Sequence, residues 1–241
     1  MITRSSDRPP GQELRELFRA IAEGEVAHVE RLIIAFPRLA SDAAPTGASR
    51  AEAAPFYLER IGHYIYAGDT ALHVAAAAYH VGIARDLLAR GALVSAKNRR
   101  GAEPLHYACD GNPGSTRWNP AAQTATIECL LSAGANPNAT DHSGVTPLHR
   151  AVRTRCAAAV RVLLDSGADA RQGNGQGSTP LHLAVQTTGR GGNGSAEARE
   201  QQTAIVRLLI AHGARVTDRG ARGKTVAASV SSAWLRELLH Q

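Results

Sequence analysis

Aromatic side chains are scarce in this sequence: they make up 4% of 241 residues, although 44% of the residues are hydrophobic. Many of the hydrophobic residues are alanine, which occurs about 45 times. This excludes a core of large interlocking side chains and predicts a core of small residues. Long apolar runs are missing too. The longest, such as 74–78 and 204–211, are shorter than the roughly 18 residues of a membrane span or are interrupted by arginine, so we expect no membrane association.

Cysteine is the next scarce residue. The three copies, Cys109, Cys129 and Cys156, cannot form a closed set of disulfides, and no two have the C-x-x-C spacing of a metal or redox pair. This favours a reducing compartment. Because residues 1–12 are polar and contain no apolar secretory segment, we predict a cytoplasmic location, with delivery to another cell by a non-classical route still open.

Lysine is nearly absent, since Lys97 and Lys224 are the only copies, and arginine supplies the remaining basic charge. Lys and Arg number 27 against 21 Asp and Glu, a formal charge of +6 that would steer the protein toward acidic partners. Arginine suits forked contacts to carboxylates or phosphates, and its dominance fits an arginine-biased codon usage equally well.

What the sequence does contain is an internal repeat. Segments that begin at Gly68, Gly101, Gly144 and Gly177 are copies of one unit with Leu-His at the same offset, and a shorter fifth copy begins at Gly223. The spacings between successive glycines are 33, 43, 33 and 46 residues, so two units carry insertions of 10 and 13 residues. A recurring period of this length predicts a repeat architecture.

Each unit predicts two short antiparallel helices. The first half carries threonine and then proline ahead of Leu-His-x-Ala, as at Thr146 and Pro147, which is typical of a helix start. The second half has helical apolar spacing and ends at the glycine of a Gly-Ala pair, in residues 83–91, 127–134, 160–167 and 205–213. One such pair cannot bury its own apolar face, so neighbouring units must stack.

The unit 144–176 resembles the ankyrin repeat, whose signature G-x-T-P-L-H stands at 144–149 and whose Gly-Ala-Asp close stands at 167–169. In the other copies Ala71 replaces the proline of this signature and Glu103 replaces the threonine. The resemblance implies an all-α, ankyrin-like solenoid of stacked helix-turn-helix repeats with short hairpin-like connectors.

We predict a single domain over residues 1–241. Its parts are an N-terminal capping repeat (13–40), an irregular insertion (41–66), repeats at 68–100, 101–143, 144–176 and 177–222, and a C-terminal cap (223–241). Within the insertion, 41–54 is expected to be a small-residue loop and 55–65 a short helix or a tucked loop. The aromatic residues of this region would cover the seam between the cap and the first full repeat; they are Phe18, Phe36, Phe56, Tyr57, Tyr64 and Tyr66.

The recurring histidines are expected to be structural. They fall at one position of the repeat and would lie about 10 Å apart on successive units, too far to share a zinc ion at about 2.1 Å. The resemblance implies that they hydrogen-bond to the threonines Thr70, Thr146 and Thr179 and to nearby backbone. The histidines are His73, His106, His149 and His182.

No catalytic motif is present, so we predict a protein that is not an enzyme and has no cofactor or metal. The text match to G-x-G-x-x-G at 189–194 follows a predicted helix instead of a strand, and we interpret it as a flexible loop. Cys109 and Cys129 are expected to fill the core as small side chains, whereas Cys156 is placed at a turn, where it can be exposed.

The two insertions, 111–121 and 189–200, interrupt the turn between the first and second helix of their units. We therefore expect them to emerge from the same edge of the solenoid, and long loops of this kind are often functional. Trp118 lies in the first insertion, and tryptophan is enriched among binding hot spots. Two roles are open for it: anchoring a partner, or folding back over the helix ends.

In ankyrin-like solenoids the usual recognition surface is the concave face, formed by the connector tips and the ends of the first helices. Mapped by repeat position, this face and the first insertion give as partner-binding candidates Tyr66, Asp69, Arg99, Arg100, Asp110, Trp118, His142, Val145, Arg153, Ser178, Gln186, Arg222 and Lys224.

These residues carry more positive than negative charge, so we predict a monomeric, non-enzymatic interaction scaffold whose unidentified partner is an acidic protein or peptide. The alternative is association with nucleic acid through the arginines of the tips. We favour it less, because acidic residues are interspersed and no aromatic stacking platform accompanies the arginines; the residues concerned are Arg99, Arg100, Arg153, Arg155 and Arg222.

Overall fold

A computed structural model describes residues 11–111, 118–186, 195–220 and 223–239. In these ranges the chain forms successive pairs of short helices, which confirms the predicted all-α solenoid of helix-turn-helix repeats. The helices are α1 (Gln12–Glu23), α2 (Val26–Ala35), α3 (Ala71–Ala77), α4 (Val81–Ala89), α5 (Pro104–Ala108), α6 (Pro120–Ser132), α7 (Pro147–Arg153), α8 (Ala157–Asp165), α9 (Pro180–Ala184), α10 (Ala196–Ala211), α11 (Val226–Ser229) and α12 (Ala233–Leu239).

The helices stack in two layers. The inner layer is α1, α3, α5, α7 and α9, each in contact with the next, and α4, α6, α8 and α10 form the outer layer in the same way. The leucine and alanine of each Leu-His-x-Ala segment are buried between the layers, as at Leu105 and Ala108. The inner helices and the connector tips, the turns that precede them, form the face that the resemblance identifies as concave. We call it the concave face.

Inner helices α3, α7 and α9 start at the predicted position, directly after a threonine that acts as a cap. The Thr146 and Thr179 hydroxyls accept from the backbone N–H of the histidine three residues on. Gly144 must be glycine for two reasons: its φ is +69°, and a Cβ there would lie 2.5 Å from the Gly175 nitrogen of the next tip. Close approach between neighbouring tips is therefore built into the repeat.

The four recurring histidines link each repeat to the next. The Nδ1 atom of each accepts from the backbone N–H at its own helix start, which leaves the proton on Nε2. That Nε2–H donates to a carbonyl of the following repeat. The bonds run from His73 to Ala102 (3.1 Å), His106 to Val145 (3.0 Å), His149 to Ser178 (2.9 Å) and His182 to Lys224 (3.3 Å).

The bond between threonine and histidine that the resemblance implies is present at Thr70, Thr146 and Thr179, with Oγ1 to Nδ1 distances of 3.0, 2.7 and 2.8 Å. Burial lowers the pKa of the imidazole at His73 and His149, and lowers that of His106 to about 4. The neutral tautomer that the bridge between repeats requires is therefore the stable form at neutral pH.

The insertion 41–66 folds as a tucked hairpin rather than as a short helix. After a 3-10 turn at Ala54–Phe56, strand β1 (Tyr57–Leu58) pairs antiparallel with β2 (His63–Tyr64). The connecting turn ends at Gly62, whose φ is +64°, so the chain reverses where a helix would have continued.

Only part of the expected aromatic cover lies over the seam. Phe56 packs against the core, with the Arg15 guanidinium of α1 5.5 Å from its ring centre. Tyr57 and Tyr64 are exposed instead and stack on each other across the two strands, with ring centres 4.8 Å apart. The hairpin therefore covers α1 with one side and presents tyrosine to solvent on the other.

Candidate partner-binding surface

The connector tips are held in a row by backbone hydrogen bonds between repeats. Arg99 N–H donates to the Ala67 carbonyl (2.7 Å), His142 N–H to the Arg100 carbonyl (2.8 Å), and Gly175 N–H to the Ser143 carbonyl (2.8 Å). Side chains that project from these tips are thus carried on backbone that is fixed on both sides.

Three of the tips are also closed internally by one polar side chain three residues before the repeat glycine. Asn98 Oδ1 accepts from two backbone N–H groups of its own tip, at 2.9 and 3.1 Å, and Asp141 and Asn174 do the same in theirs. Sequence analysis missed these residues. The signal was available, since Asn, Asp and Asn recur at one repeat position and such side chains favour turns.

The exposed candidates lie mainly on the tips. Arg99, Arg100, His142 and Lys224 are exposed there, and Val145 and Ser178 are partly exposed. Arg153 and Gln186 are exposed at the ends of inner helices α7 and α9. Arg222 lies outside the described residues. No contact in the described part of the chain brings all of these into one cluster, so they form an extended row.

Asp69 does not belong to an accessible surface, because it is fully buried. Its carboxylate accepts from the Tyr107 hydroxyl (2.9 Å), the Asn98 amide (2.8 Å) and the Tyr66 backbone N–H (2.7 Å). A buried carboxylate needs such donors, and Tyr107 and Asn98 come from the next repeat. Asp69 therefore joins two repeats and is not available to a partner.

The Asp110 carboxylate is paired with two arginine side chains. It accepts from Arg150 at 2.6 Å and Arg153 at 3.2 Å, and Arg150 also reaches Asp141 at 3.2 Å. Burial alone would lower the pKa of Arg150, but the two carboxylates raise it. The pKa of Asp141 is lowered because backbone N–H bonds and Arg150 outweigh its burial. This network across α5 and α7 neutralises the acidic charge of the concave face.

The hairpin occupies the N-terminal part of the concave face. His63 packs edge-on against Tyr107 of α5, with ring centres 4.4 Å apart. Burial lowers the pKa of His63, and its Nε2 has no hydrogen-bond partner in the described structure. The hairpin therefore covers Tyr107 on this face.

Trp118 folds back against its own chain. The indole N–H donates to Gln123 Oε1 at 2.9 Å, and the side chain is half-buried against the core. It also lines a groove of about 870 Å³ at the turn edge. The same groove is lined by Ser195 of the second insertion and Gln201 of α10. The described ends of both insertions thus share one edge; residues 112–117 and the match at 189–194 lie outside the described residues.

The expected exposure of Cys156 is wrong. This residue precedes α8 at the floor of the same groove, and 1% of its surface is exposed. Burial raises the pKa of its thiol, so the thiolate needed for reactivity is disfavoured. The Arg155 backbone before it is left-handed (φ +59°). Cys109 is fully buried as expected, whereas Cys129 is only partly buried.

The described residues contain no group of three His, Cys, Asp or Glu side chains placed to hold a metal ion. Among the same residues, no helix has both the length and the apolar character needed to cross a membrane.

Two family models match the chain and together cover more than half of it. One, described as "Ankyrin repeats (3 copies)", matches residues 120–220, and the other, "Ankyrin repeat", matches residues 67–99. Among curated proteins the chain is similar to ankyrin repeat and SOCS box protein 16 of Mus musculus, with 40% identity over 92 residues. The matched stretch is 36% of this chain and 19% of that protein, so the chain spans about a fifth of this relative's length.

Proposed function

Because this chain belongs to the ankyrin repeat family, we propose that it is a non-enzymatic scaffold that binds a protein partner through its concave face and inserted loops. Ankyrin repeats are in general protein–protein interaction modules. The observation that carries the finer proposal is the row of exposed side chains on tips joined by hydrogen bonds. Such a surface is rigid before binding, so little conformational entropy is lost when a partner docks.

The charge of this face favours an acidic protein or peptide. Asp69 is buried and Asp110 is paired with two arginines, whereas Arg99, Arg100 and Lys224 remain exposed. Positive charge therefore predominates more strongly among the accessible residues of this face than among all of the predicted binding residues. The unpaired cysteines fit a reducing, cytoplasmic setting, and we propose that the protein acts there as a monomer.

The nucleic-acid alternative has weaker support. Arg153 is paired with Asp110, and an Arg155 guanidinium N–H donates to the Gln186 carbonyl at 2.8 Å. The arginines that would extend a phosphate-binding stripe along the tips are thus engaged within the protein.

Site-specific photo-crosslinking tests the proposed surface. A benzophenone side chain is placed at His142 or Gln186 on the concave face, and at Arg161 or Arg207 on the exposed side of the outer helices as matched controls. We expect one partner to be captured from the concave positions only. Capture from the outer helices alone, or equally from all four positions, would contradict the proposal.

The contribution of the inserted loops is tested with Trp118→Ala in the same assay. If Trp118 anchors the partner, the variant loses capture from Gln186 while the folded fraction stays high. Unchanged capture together with a lower melting temperature would assign Trp118 to covering the helix ends alone.

A further inference from the structure

Three arginines and two tyrosines surround one cavity at the junction of the hairpin and the second connector tip. The cavity has a volume of about 680 Å³, and no acidic residue lines it. Its polar lining residues are Ser49, Arg50, Tyr64, Tyr66, Arg99 and Arg100. We propose that this arginine pocket binds a phosphorylated side chain of the protein partner. The inference rests on the proposed function and adds the chemistry that the partner must present.

The two tip arginines are held in place before any ligand arrives. The Arg99 and Arg100 guanidinium groups lie 5.5 and 5.0 Å from the centre of the Tyr66 ring, within the range of a cation–π contact. Arg99 also donates to the Ala48 carbonyl of the insertion. Stacking of this kind reduces the rotamer freedom that an arginine side chain would lose on binding.

The positive charge of the pocket is not neutralised, in contrast to arginines elsewhere in the protein. Arg150 and Arg153 are paired with Asp110, and Arg171 lies 2.8 Å from Asp218. For the pocket arginines no described carboxylate lies within ion-pair distance. Three arginines that line a cavity without a counter-charge make a site for an anion.

A phosphate monoester fits this site better than the other common anions. It carries nearly two negative charges at neutral pH and has three terminal oxygens, so it can accept from more than one guanidinium fork. A carboxylate has one charge and accepts one fork. A nucleic acid presents singly charged phosphates along a line and gains affinity by neutralising many of them. Here the positive cluster is confined to one pocket.

The hairpin acquires a role in this arrangement. Arg50, Tyr64 and Tyr66 all come from the insertion 41–66, which falls outside the repeat period. The insertion therefore builds one wall of the pocket and the regular repeat builds the other. This also explains why Arg50 was not a candidate in the sequence analysis: only the fold brings it to Arg99 and Arg100.

Side-chain NMR of the full chain tests the proposal directly. The arginine Nε–H signals are followed while N-acetyl-O-phosphotyrosine amide or N-acetyl-O-phosphoserine amide is added, with acetate and unphosphorylated N-acetyltyrosine amide as controls. We expect saturable shifts at Arg50, Arg99 and Arg100 with a phosphorylated probe and none with the controls. Inorganic phosphate should bind at least about tenfold more weakly, because it lacks the part of the ligand that contacts the tyrosine walls.

Two variants separate specific binding from general charge effects. Arg100→Gln should weaken binding about tenfold or more, and Arg100→Lys should weaken it severalfold, because lysine keeps the charge but loses the fork. Arg207→Gln removes the same charge from the exposed side of α10 and should leave the affinity unchanged. Arg100 is exposed, and its guanidinium makes no hydrogen bond within the described part of the chain. Its variants should therefore fold, which a thermal melt checks.

Several outcomes would overturn the inference. Equal shifts at Arg207, equal binding of acetate, or inorganic phosphate binding as tightly as the phosphorylated amino acids would each remove a phosphorylated side chain as the ligand. The inference would also be overturned if duplex DNA bound more tightly than either probe and the Arg100→Gln substitution abolished that binding. If no probe binds while crosslinking from His142 and Gln186 succeeds, the pocket fails and the proposed scaffold stands. If the probes bind but capture occurs only from the outer helices, the scaffold surface fails instead.

Discussion

Glu103 occupies the helix-start position that threonine holds in the other full repeats, and it fits that position poorly. Its side chain is 5% exposed, Oε2 has no hydrogen-bond partner among the described residues, and Lys97 Nζ lies 3.7 Å from Oε1. Burial raises the pKa of this carboxyl despite Lys97. A carboxyl group whose pKa is raised on folding destabilises the folded state once the pH is high enough to ionise it.

We expect Glu103→Thr to stabilise the protein by about 1 kcal/mol, because the buried charge is removed and a hydroxyl can bond to His106 Nδ1 as in the other repeats. The gain should grow as the pH rises from below 4.5 to 7, since the wild-type penalty appears as Glu103 ionises. Urea denaturation at several pH values measures it. Glu128→Thr, on the exposed side of α6, is the matched control and should give no gain. A loss of stability with Glu103→Thr at pH 7 would show that the carboxylate is well accommodated.

At the scale of elements, the turn between inner and outer helix is built in two ways. In uninterrupted repeats a left-handed residue, Tyr79 or Arg155, lets the next backbone N–H donate to a carbonyl near the end of the inner helix, that of Ala75 or Ala151. In the repeats with insertions, residues 112–117 and 187–194 of this connection lie outside the described residues.

In those repeats a glutamine side chain of the outer helix donates to the corresponding carbonyl of the inner helix. Gln123 Nε2 donates to the Ala108 carbonyl at 2.9 Å and Gln202 Nε2 to the Ala184 carbonyl at 2.6 Å, which are the equivalent carbonyls of α5 and α9. Both glutamines are buried in outer helices. The stack therefore accommodates the long loops, because one glutamine amide in each of these repeats hydrogen-bonds to the carbonyl near the end of the inner helix.

We expect Gln123→Ala and Gln202→Ala each to lower the free energy of unfolding by about 1–3 kcal/mol, because a buried carbonyl loses its donor. Thr124→Ala, one residue along α6 and partly exposed, is the control and should change stability little. Chemical denaturation of the three variants gives the comparison. Losses for the glutamine variants no larger than for Thr124→Ala would mean that the carbonyls do not depend on these amides.

At the scale of the whole molecule, the features that could be predicted from the sequence are those that recur with the repeat period. The recurring threonines and histidines and the closing glycines define the helix pairs and their stacking without any knowledge of the fold. Features that occur only once or twice do not recur with the period and could not be predicted in this way. They are Gln123, Gln202 and the hairpin at 55–65. Asp69 is buried for a similar reason, since its donors Tyr107 and Asn98 come from the next repeat and Tyr107 stands where other repeats have valine, arginine or leucine.

The histidine bridges make acid stability a property of the whole stack. The imidazole pKa is lowered at His73, His106 and His149, so between about pH 4, the pKa of His106, and 6.5 the unfolded chain binds more protons than the folded one. The contribution of these histidines to the free energy of unfolding is therefore fully present above pH 6.5 and is lost as the pH falls through this window. A shift from 6.5 to about 4 corresponds to a loss on the order of 3 kcal/mol for His106 alone.

We therefore expect the free energy of unfolding to fall steeply between pH 6.5 and about 4, in a window above the lowered pKa of Asp141. Urea denaturation at half-unit pH steps measures the slope. His106→Gln should be less stable at pH 7 but lose less on acidification, because it removes one titrating bridge, whereas His142→Gln on an exposed tip should keep the wild-type slope. An unchanged slope in His106→Gln would show that acid acts elsewhere than on the bridges between repeats.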